Sequence, residues 1–120
     1  MILLVTGSRT IPKNPSEIYK IHKKLNQICC EYGISKLITG GARGVDMTAM
    51  KWAWDRKIAT EIYPPDWERY GRRAGLLRNI TMVEKCDKGV GFWDGKSRGT
   101  EHCIKKLKET NKLLEVMEFE

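Results

Sequence analysis

The sequence of 120 residues predicts a three-layer α/β fold, in which a five-stranded, mainly parallel sheet carries helices on both faces. Short apolar runs alternate with longer segments of helical periodicity, which is typical of βαβ units. Glycine-bearing loops follow the predicted strands and so meet at the carboxyl edge of the sheet, where open α/β sheets bind ligands. At this length we expect a single domain over residues 1–120, with the strand order 3-2-1-4-5 that this fold class favours.

The chain begins with a strand followed by a helix. Residues 2–6 form a continuous apolar run, as expected of a strand that is buried on both faces. Asn14 is a suitable helix cap and Pro15 a suitable first helical residue. Gly33 is the expected C-terminal stop, so the first helix is predicted between these signals.

The middle of the chain repeats this pattern. Strands are predicted over 36–39 and 59–63, and a helix is predicted over 45–57 between them. We expect Trp52 and Trp54 to be core or interface residues rather than platforms that stack on a ligand. A dimer that uses the helix face of these tryptophans is the expected oligomeric form.

The last part of the chain supplies two more helices and two more strands. The predicted elements are a loop at 66–70, a helix at about 71–86, a strand at 88–93, a helix at about 99–111 and a strand at 113–119. The apolar residues expected to pack in the core from the first of these helices are Leu76, Leu77, Ile80 and Val83.

Composition excludes several classes of protein. No apolar run approaches the ~20 residues that span a bilayer, and the apolar start is too short for a signal peptide, so we expect a cytoplasmic protein without a membrane partner. The four cysteines form no CxxC pair and only two histidines are present, so reduced thiols and no metal site are expected. The net charge of +7 favours an anionic partner, either a small phosphate compound or, with less support, nucleic acid.

The segment from Gly40 to Asp46, Gly-Gly-Ala-Arg-Gly-Val-Asp, is the strongest functional signal. It joins a predicted strand to a predicted helix, and glycines there let backbone N–H groups approach a phosphate at the helix N-terminus. Arg43 adds a guanidinium, which binds oxyanions through two donors. Asp46 is either a ribose-hydroxyl acceptor or a residue that only complements the helix dipole.

Two further loops have the same character. Gly7-Ser8-Arg9 follows the first strand and is either a phosphate-binding turn or an ordinary tight turn. Ser97-Arg98-Gly99-Thr100 opens the last helix and is either an anion-binding nest or a helix cap made by Ser97. Because all these loops are expected at one sheet edge, the sequence predicts a composite anion site.

These motifs resemble the YspA-like proteins of the SLOG superfamily, which includes the LOG phosphoribohydrolases and the DprA proteins. The matching segments are 5–9, 40–46 with Ala53, 65–67, 70–75, Arg78-Asn79 with Met82, and Phe92-Trp93 with 97–100. The resemblance covers nearly the whole chain and implies a Rossmann-like sheet and a nucleotide or nucleotide-derived ligand.

Comparison with the hydrolases leaves the reaction open. Their signature resembles Arg-Lys-x-x-Met followed by Gly-Gly-x-Gly-Thr-x-x-Glu. Here Arg78-Asn79 and Met82 match the first part with one change, and the catalytic Glu position falls on Cys103. Cys103 is a poor substitute for a catalytic acid. Carboxylates that would serve instead are Asp46, Asp66, Asp94 and Glu101.

We therefore expect a protein that binds a nucleotide-derived phosphate ligand, such as AMP, ADP-ribose or an NAD-like molecule, as a sensor, a sequestering protein or an enzyme. The alternatives are an N-glycosidic phosphoribohydrolase and a DprA-like nucleic-acid accessory protein. Trp67 or Trp93 is expected to wall the base. The predicted ligand-binding residues are Gly7, Ser8, Arg9, Gly40, Gly41, Arg43, Gly44, Asp46, Trp67, Arg78, Asn79, Ser97, Arg98, Gly99 and Thr100.

Overall fold

The computed structural model describes residues 1–120 and shows strands alternating with helices along the chain. The strands are β1 (Ile2–Gly7), β2 (Lys36–Thr39), β3 (Ala59–Ile62), β4 (Lys88–Trp93) and β5 (Leu113–Glu118). The helices are α1 (Pro15–Tyr32), α2 (Val45–Asp55), α3 (Trp67–Tyr70), α4 (Ala74–Lys85) and α5 (Arg98–Glu109), with a 3₁₀ turn at Gly71–Arg73.

The five strands form one sheet in the order β3-β2-β1-β4-β5, which confirms the predicted order. Every neighbouring pair is parallel, so the sheet is wholly rather than mainly parallel. The chain moves outward from β1 to β3 and then returns to place β4 on the other side of β1. Gly7 of β1 lies opposite Phe92 of β4, which brings the loops after these two strands together at the point where the strand order reverses.

Alternating side chains of the central strands supply both layers of the core. Leu3 and Leu4 are adjacent and both fully buried, but Leu3 packs with α1 and α2 while Leu4 packs with α4 and α5. Leu37 and Ile38 of β2 divide in the same way. This is the two-residue period of a strand, and each such side chain contributes about 1.5–3 kcal/mol by leaving water. Helices on both faces are therefore confirmed.

The signals at the ends of α1 act as predicted. The Oδ1 atom of Asn14 accepts a hydrogen bond from the Glu17 N–H at 3.0 Å, and Pro15 is the first helical residue. Gly33 has φ 72° and its N–H donates to the Cys29 carbonyl at 2.8 Å, which ends the helix. The carboxylate of Glu17 accepts from the Lys13 N–H at 2.6 Å and so secures the approach to the helix.

Residues 66–86 differ from the prediction. Asp66 caps a short helix by accepting from the Arg69 N–H at 3.2 Å, so the expected loop is helical from Trp67 to Tyr70. The expected core position of Leu76 is also wrong, because this side chain is 45% exposed. Val83, two turns later on the same side of α4, is buried. Helical periodicity predicts the side of α4 on which a side chain lies, but it does not predict whether that turn of the helix is covered by the rest of the fold.

The two tryptophans of α2 have different environments. Trp52 is fully buried in the core, and its indole N–H donates to the Oδ1 atom of Asn26 at 2.9 Å. It is therefore a core residue and does not form part of an exposed interface. Trp54 is 49% exposed and donates to the hydroxyl of Thr60 at 2.9 Å.

A membrane-spanning helix is absent, since every helix is either too short or too polar to cross a bilayer.

Candidate functional site

A cavity of about 260 Å³ opens at the carboxyl edge of the sheet, above the ends of β1 and β4. It is bounded by the loops after β1, β2 and β4 and by one side of α4. Its lining residues are Val5, Thr6, Gly7, Ser8, Arg9, Thr10, Gly40, Ala42, Asp46, Arg78, Asn79, Met82, Ser97, Gly99 and Thr100. The composite site expected at this edge therefore corresponds to a cavity.

Most of the predicted binding residues line this cavity, but some do not. The residues outside the lining are Gly41, Arg43, Gly44, Trp67 and Arg98. Arg43 and Arg98 are exposed, and Trp67 is 56% exposed on α3. Trp93, the other candidate for a wall beside the base, also lies outside the lining and donates its indole N–H to the Ser97 carbonyl at 3.0 Å.

The loop after β1 depends on a close approach by the loop before α2. Gly44 has φ 84°, and a Cβ atom at this position would lie 2.6 Å from the Ile11 carbonyl oxygen and 2.8 Å from those of Arg9 and Ser8. Only glycine avoids this contact, so Gly44 shapes the cavity from outside it. The Ser8 hydroxyl accepts from the Asp94 N–H at 3.0 Å, which leaves the hydroxyl proton available to a ligand.

Asp94 organises the loop after β4. Its carboxylate accepts hydrogen bonds from the Lys96 N–H at 2.9 Å, the Ser97 N–H at 2.8 Å and the Thr10 hydroxyl at 2.9 Å. The hydroxyl of Ser97 donates to the same carboxylate at 3.0 Å. These donors, the Ser97 N–H foremost, hold the pKa of Asp94 well below its ordinary value.

Capping of α5 by Ser97 is therefore wrong as an explanation of this motif. No side chain caps α5, because the Ser97 hydroxyl is committed to Asp94. The first-turn N–H groups of the helix are left without a side-chain acceptor, and Gly99 and Thr100 of this turn line the cavity. These groups form the positive end of a 12-residue helix dipole.

Two adjacent residues of α4 join the walls of the cavity. The Nη1 atom of Arg78 donates to the Gly40 and Tyr63 carbonyl oxygens at 3.2 Å each. The side-chain amide of Asn79 donates to the Gly99 carbonyl at 3.1 Å. Burial lowers the pKa of the Arg78 guanidinium from its ordinary value, and the nearby Asp46 carboxylate opposes this effect. The guanidinium is thus held in place by backbone carbonyls while still facing the cavity.

Asp46 is the one carboxylate that lines the cavity. It lies in the first turn of α2 and is 6% exposed. Its Oδ2 atom accepts from the Ala42 N–H at 3.1 Å, whereas its Oδ1 atom is buried without a hydrogen-bond partner. Burial raises the pKa of Asp46 to about 6, and the Ala42 N–H and the Arg78 charge act in the opposite direction.

The other candidate acids do not reach the cavity. Asp66 caps α3, Asp94 is enclosed by its own loop, and Glu101 is exposed on α5. Cys103, at the position of the hydrolases' catalytic Glu, is fully buried beneath α5, and burial raises the pKa of its thiol to about 12. It packs as a core residue and does not line the cavity.

The structure adds residues that the sequence patterns did not single out for the site. Thr6, Thr10 and Ala42 line the cavity beside the predicted residues. Thr10 also donates a hydrogen bond to Asp94 at the point where the strand order reverses, a contact between loops far apart in sequence that no local pattern indicates.

No group of three or more His, Cys, Asp or Glu side chains is arranged to hold a metal ion.

A second cavity of about 500 Å³ shares a lining residue with the first. That residue is Arg78. The second cavity is more apolar, with contributions from β3, the segment after it, α3 and α4. Its largest apolar lining residues are Ile62, Tyr63, Tyr70, Leu77 and Ile80.

Comparisons with known proteins agree with the fold and the motifs. Residues 1–70 match the model of the family described as YspA, cpYpsA-related SLOG family. The chain is also 34% identical over 113 residues to the Gene 61 protein of Mycobacterium phage D29, an alignment that covers 89% of this chain and 88% of that protein. No solved structure matches the chain significantly. The chain belongs to the YspA, cpYpsA-related SLOG family.

Proposed function

We propose that the chain binds a nucleotide or nucleotide-derived phosphate ligand in the cavity at the carboxyl edge of the sheet. The observation that carries the proposal is the position of two guanidinium groups, those of Arg9 and Arg78, in a polar cavity into which the uncapped end of α5 opens. Membership of the SLOG family supports a nucleotide-related ligand. The site would serve a sensor, a sequestering protein or an enzyme.

The phosphate would lie between the loops after β1 and β4. There the first-turn N–H groups of α5 and the hydroxyl of Ser8 offer donors to its oxygens. Arg9 is exposed at the rim and makes no hydrogen bond within the protein, so its guanidinium is available to the anion. Arg78 supplies a second charge from the α4 side.

The ribose would contact Asp46. Asp46 is the one carboxylate in the cavity lining, and its Oδ2 atom accepts from the Ala42 N–H at 3.1 Å. A sugar hydroxyl would donate to the same carboxylate, because an ionised carboxylate has about four acceptor sites. In this proposal Asp46 accepts a hydrogen bond from the ribose and does not only complement the α2 dipole.

The size of the cavity favours a nucleoside monophosphate. A volume of about 260 Å³ lies slightly below the range of about 300–1,000 Å³ that is usual for drug-sized ligands. One sugar phosphate matches this volume better than a dinucleotide. We therefore favour AMP-like ligands over ADP-ribose or NAD-like ligands, whose second half would extend outside the cavity.

The proposal is tested by thermal unfolding with AMP, ADP-ribose and ribose 5-phosphate. A ligand selective for the native state at 100 times its Kd adds about 2.7 kcal/mol of stability, so the melting temperature should rise by several degrees. Arg9→Ala should remove most of this rise, because Arg9 lines the cavity. Arg43→Ala is the matched control, since Arg43 is an exposed arginine outside the lining.

The outcomes are separable. A rise in the wild type that is lost in Arg9→Ala and retained in Arg43→Ala supports the proposal. The absence of any rise at millimolar concentrations of all three compounds overturns it. A rise that both variants retain would place the ligand elsewhere on the molecule.

A further inference from the structure

We propose that the solvent-facing side of α4 is an interface at which two copies of this chain associate, with their α4 helices side by side and antiparallel. The inference goes beyond the proposed function and does not depend on a ligand. It assigns an occupant to the apolar groove that the second cavity forms. It also places the dimer on α4, whereas the sequence led us to expect it on α2.

The first support is the position of apolar side chains on the outer side of α4. Asn79 and Met82 are buried and mark the side of the helix that packs on the rest of the fold. At 3.6 residues per turn, Leu77 and Ile80 project from the opposite side, where they line the groove and are only half-buried. Leu76 beside them is 45% exposed. This side of α4 therefore presents apolar surface to water.

The neighbouring helix shows that such a surface is not a general property of this face of the molecule. α5 packs beside α4, and its exposed side carries Glu101, Lys105 and Lys108. The groove beside α4 is instead extended by Ile62 and Tyr70, which are 47% and 42% exposed. A contiguous exposed apolar patch next to charged surface is typical of a site of protein association.

The second support is the pair of opposite charges at the two ends of this apolar stripe. Arg73 immediately precedes α4 with helical backbone angles, φ −83° and ψ −10°, and Glu84 lies in the last turn. Both side chains are exposed, and neither takes part in the ion pairs of the chain. Arg73, Leu77, Ile80 and Glu84 follow one another at intervals of four, three and four residues. This is the spacing of the contact positions between two paired helices.

The order of these four residues is self-complementary. In an antiparallel pair related by a two-fold axis, Arg73 of each copy faces Glu84 of the other, and Leu77 faces Ile80. A parallel pair would instead place arginine against arginine and glutamate against glutamate. The charges therefore favour a second copy of this chain as the partner and also select its direction.

The extent of the surface indicates a reversible dimer. α4 has 12 residues and so presents about three turns, to which the groove beside it adds Ile62 and Tyr70. Stable interfaces usually bury about 800 Å² on each partner, and a single short helix with one groove lies at the small end of this range. We therefore expect the two copies to associate at high concentration and to separate on dilution.

The test is sedimentation velocity of the full chain over a range of concentrations of about 1–200 μM, which covers the weak end of specific association. The wild type should shift from monomer to dimer. Arg73→Glu and Glu84→Arg each place like charges opposite one another at both ends of the interface, and each should raise the dissociation constant by about 10-fold or more. The double variant restores opposite charges and should return the constant to within about 3-fold of the wild type.

Reversal of charge is used because removal of one member of an exposed ion pair changes affinity little. Lys105→Glu is the matched control, since it changes the net charge as Arg73→Glu does but lies on the exposed side of α5. Trp54→Ala tests the alternative face on α2. Recovery in the double variant also excludes misfolding as the cause of the loss in the single variants, because it carries both substitutions.

The outcomes separate as follows. Loss of the dimer in both single variants, with recovery in the double variant and no change in Lys105→Glu, supports the proposal. A wild type that stays monomeric over the whole range overturns it. A dimer that withstands both reversals but is lost in Trp54→Ala overturns it in favour of α2. Failure of the double variant to recover overturns the antiparallel arrangement on which the proposal depends.

Discussion

The Nε atom of Arg78 donates to the Oδ1 atom of Asn79 at 3.0 Å, and this contact ties together the two residues of α4 that hold the walls of the cavity. Arg78 reaches the loops after β2 and β3 through the Gly40 and Tyr63 carbonyls. Asn79 reaches the start of α5 through the Gly99 carbonyl. Arg78 and Asn79 therefore connect these three segments to α4, so the shape of the cavity depends on the position of α4.

Replacement of Arg78 by alanine should destabilise the protein as well as weaken ligand binding. Three hydrogen bonds from the guanidinium would be lost, and the Gly40 and Tyr63 carbonyls would lose a donor. We expect a decrease of about 2 kcal/mol in the free energy of unfolding, measured by urea denaturation. Arg73→Ala, which removes an exposed arginine of the preceding 3₁₀ turn, is the control and should change stability by less than about 0.5 kcal/mol. Equal stability of the two variants would contradict this role of Arg78.

Gly44 and Gly33 allow backbone strain to be separated from steric overlap. Both have positive φ, 84° and 72°, but a Cβ atom at Gly44 would meet three carbonyl oxygens within 2.8 Å, whereas one at Gly33 would meet nothing within 4 Å. Gly33→Ala should cost about 1–2 kcal/mol through its backbone angle alone. Gly44→Ala should cost about 1–3 kcal/mol more. Thermal or urea unfolding measures the loss of stability in each variant. Losses of similar size would show that the loop after β1 can move away from a Cβ atom at position 44.

The pH dependence of stability should report on Asp46. Burial raises its pKa to about 6, whereas the unfolded chain has a value of about 3.9, so the native state binds more protons between these values. The stabilising contribution is therefore complete below about pH 4 and is lost as the pH rises through about 6. The charges of Arg78 and Arg9 act against this effect of burial on Asp46.

The variant Asp46→Asn isolates this effect. It should be more stable than the wild type by about 2–3 kcal/mol at pH 8, and the difference should shrink toward pH 4, where the wild-type carboxyl is protonated. Urea unfolding of both proteins from pH 4 to pH 8 measures it. A difference that does not depend on pH would mean that Asp46 has an ordinary pKa in the native protein.

Thiol reactivity should distinguish the cysteines by burial. All four are free; Cys30 is exposed, Cys29 is half-buried, and Cys86 and Cys103 are buried. With a colorimetric disulfide reagent, one fast phase should come from Cys30 and disappear in Cys30→Ser. Cys103 should react only when the protein unfolds, because burial raises the pKa of its thiol to about 12. Rapid labelling of Cys103 in the native protein, detected by mass spectrometry, would contradict its place in the core.

Local patterns along the chain are enough to predict the order of the strands, the layers of the fold and most of the cavity lining. Apolar runs such as the one in β1, the cap at Asn14 and the glycine-bearing loops are local signals, and local signals specify where strands, helices and turns begin. Because all the strands are parallel, loops that follow them must meet at one edge. That is why Gly7, Gly40 and Gly99 were predicted together and line one cavity.

Which charged groups face that cavity depends on contacts between distant parts of the chain. Arg9 and Arg43 lie in similar loops, yet Arg9 lines the cavity and Arg43 does not. Asp46 has one paired and one unpaired oxygen, a state that depends on the neighbouring loops as well as on its place in α2. Side-chain direction, burial and hydrogen-bond partners depend on contacts between segments far apart in sequence, and no periodicity along the chain encodes them. The motifs therefore located the cavity, whereas packing determined which charged groups line it.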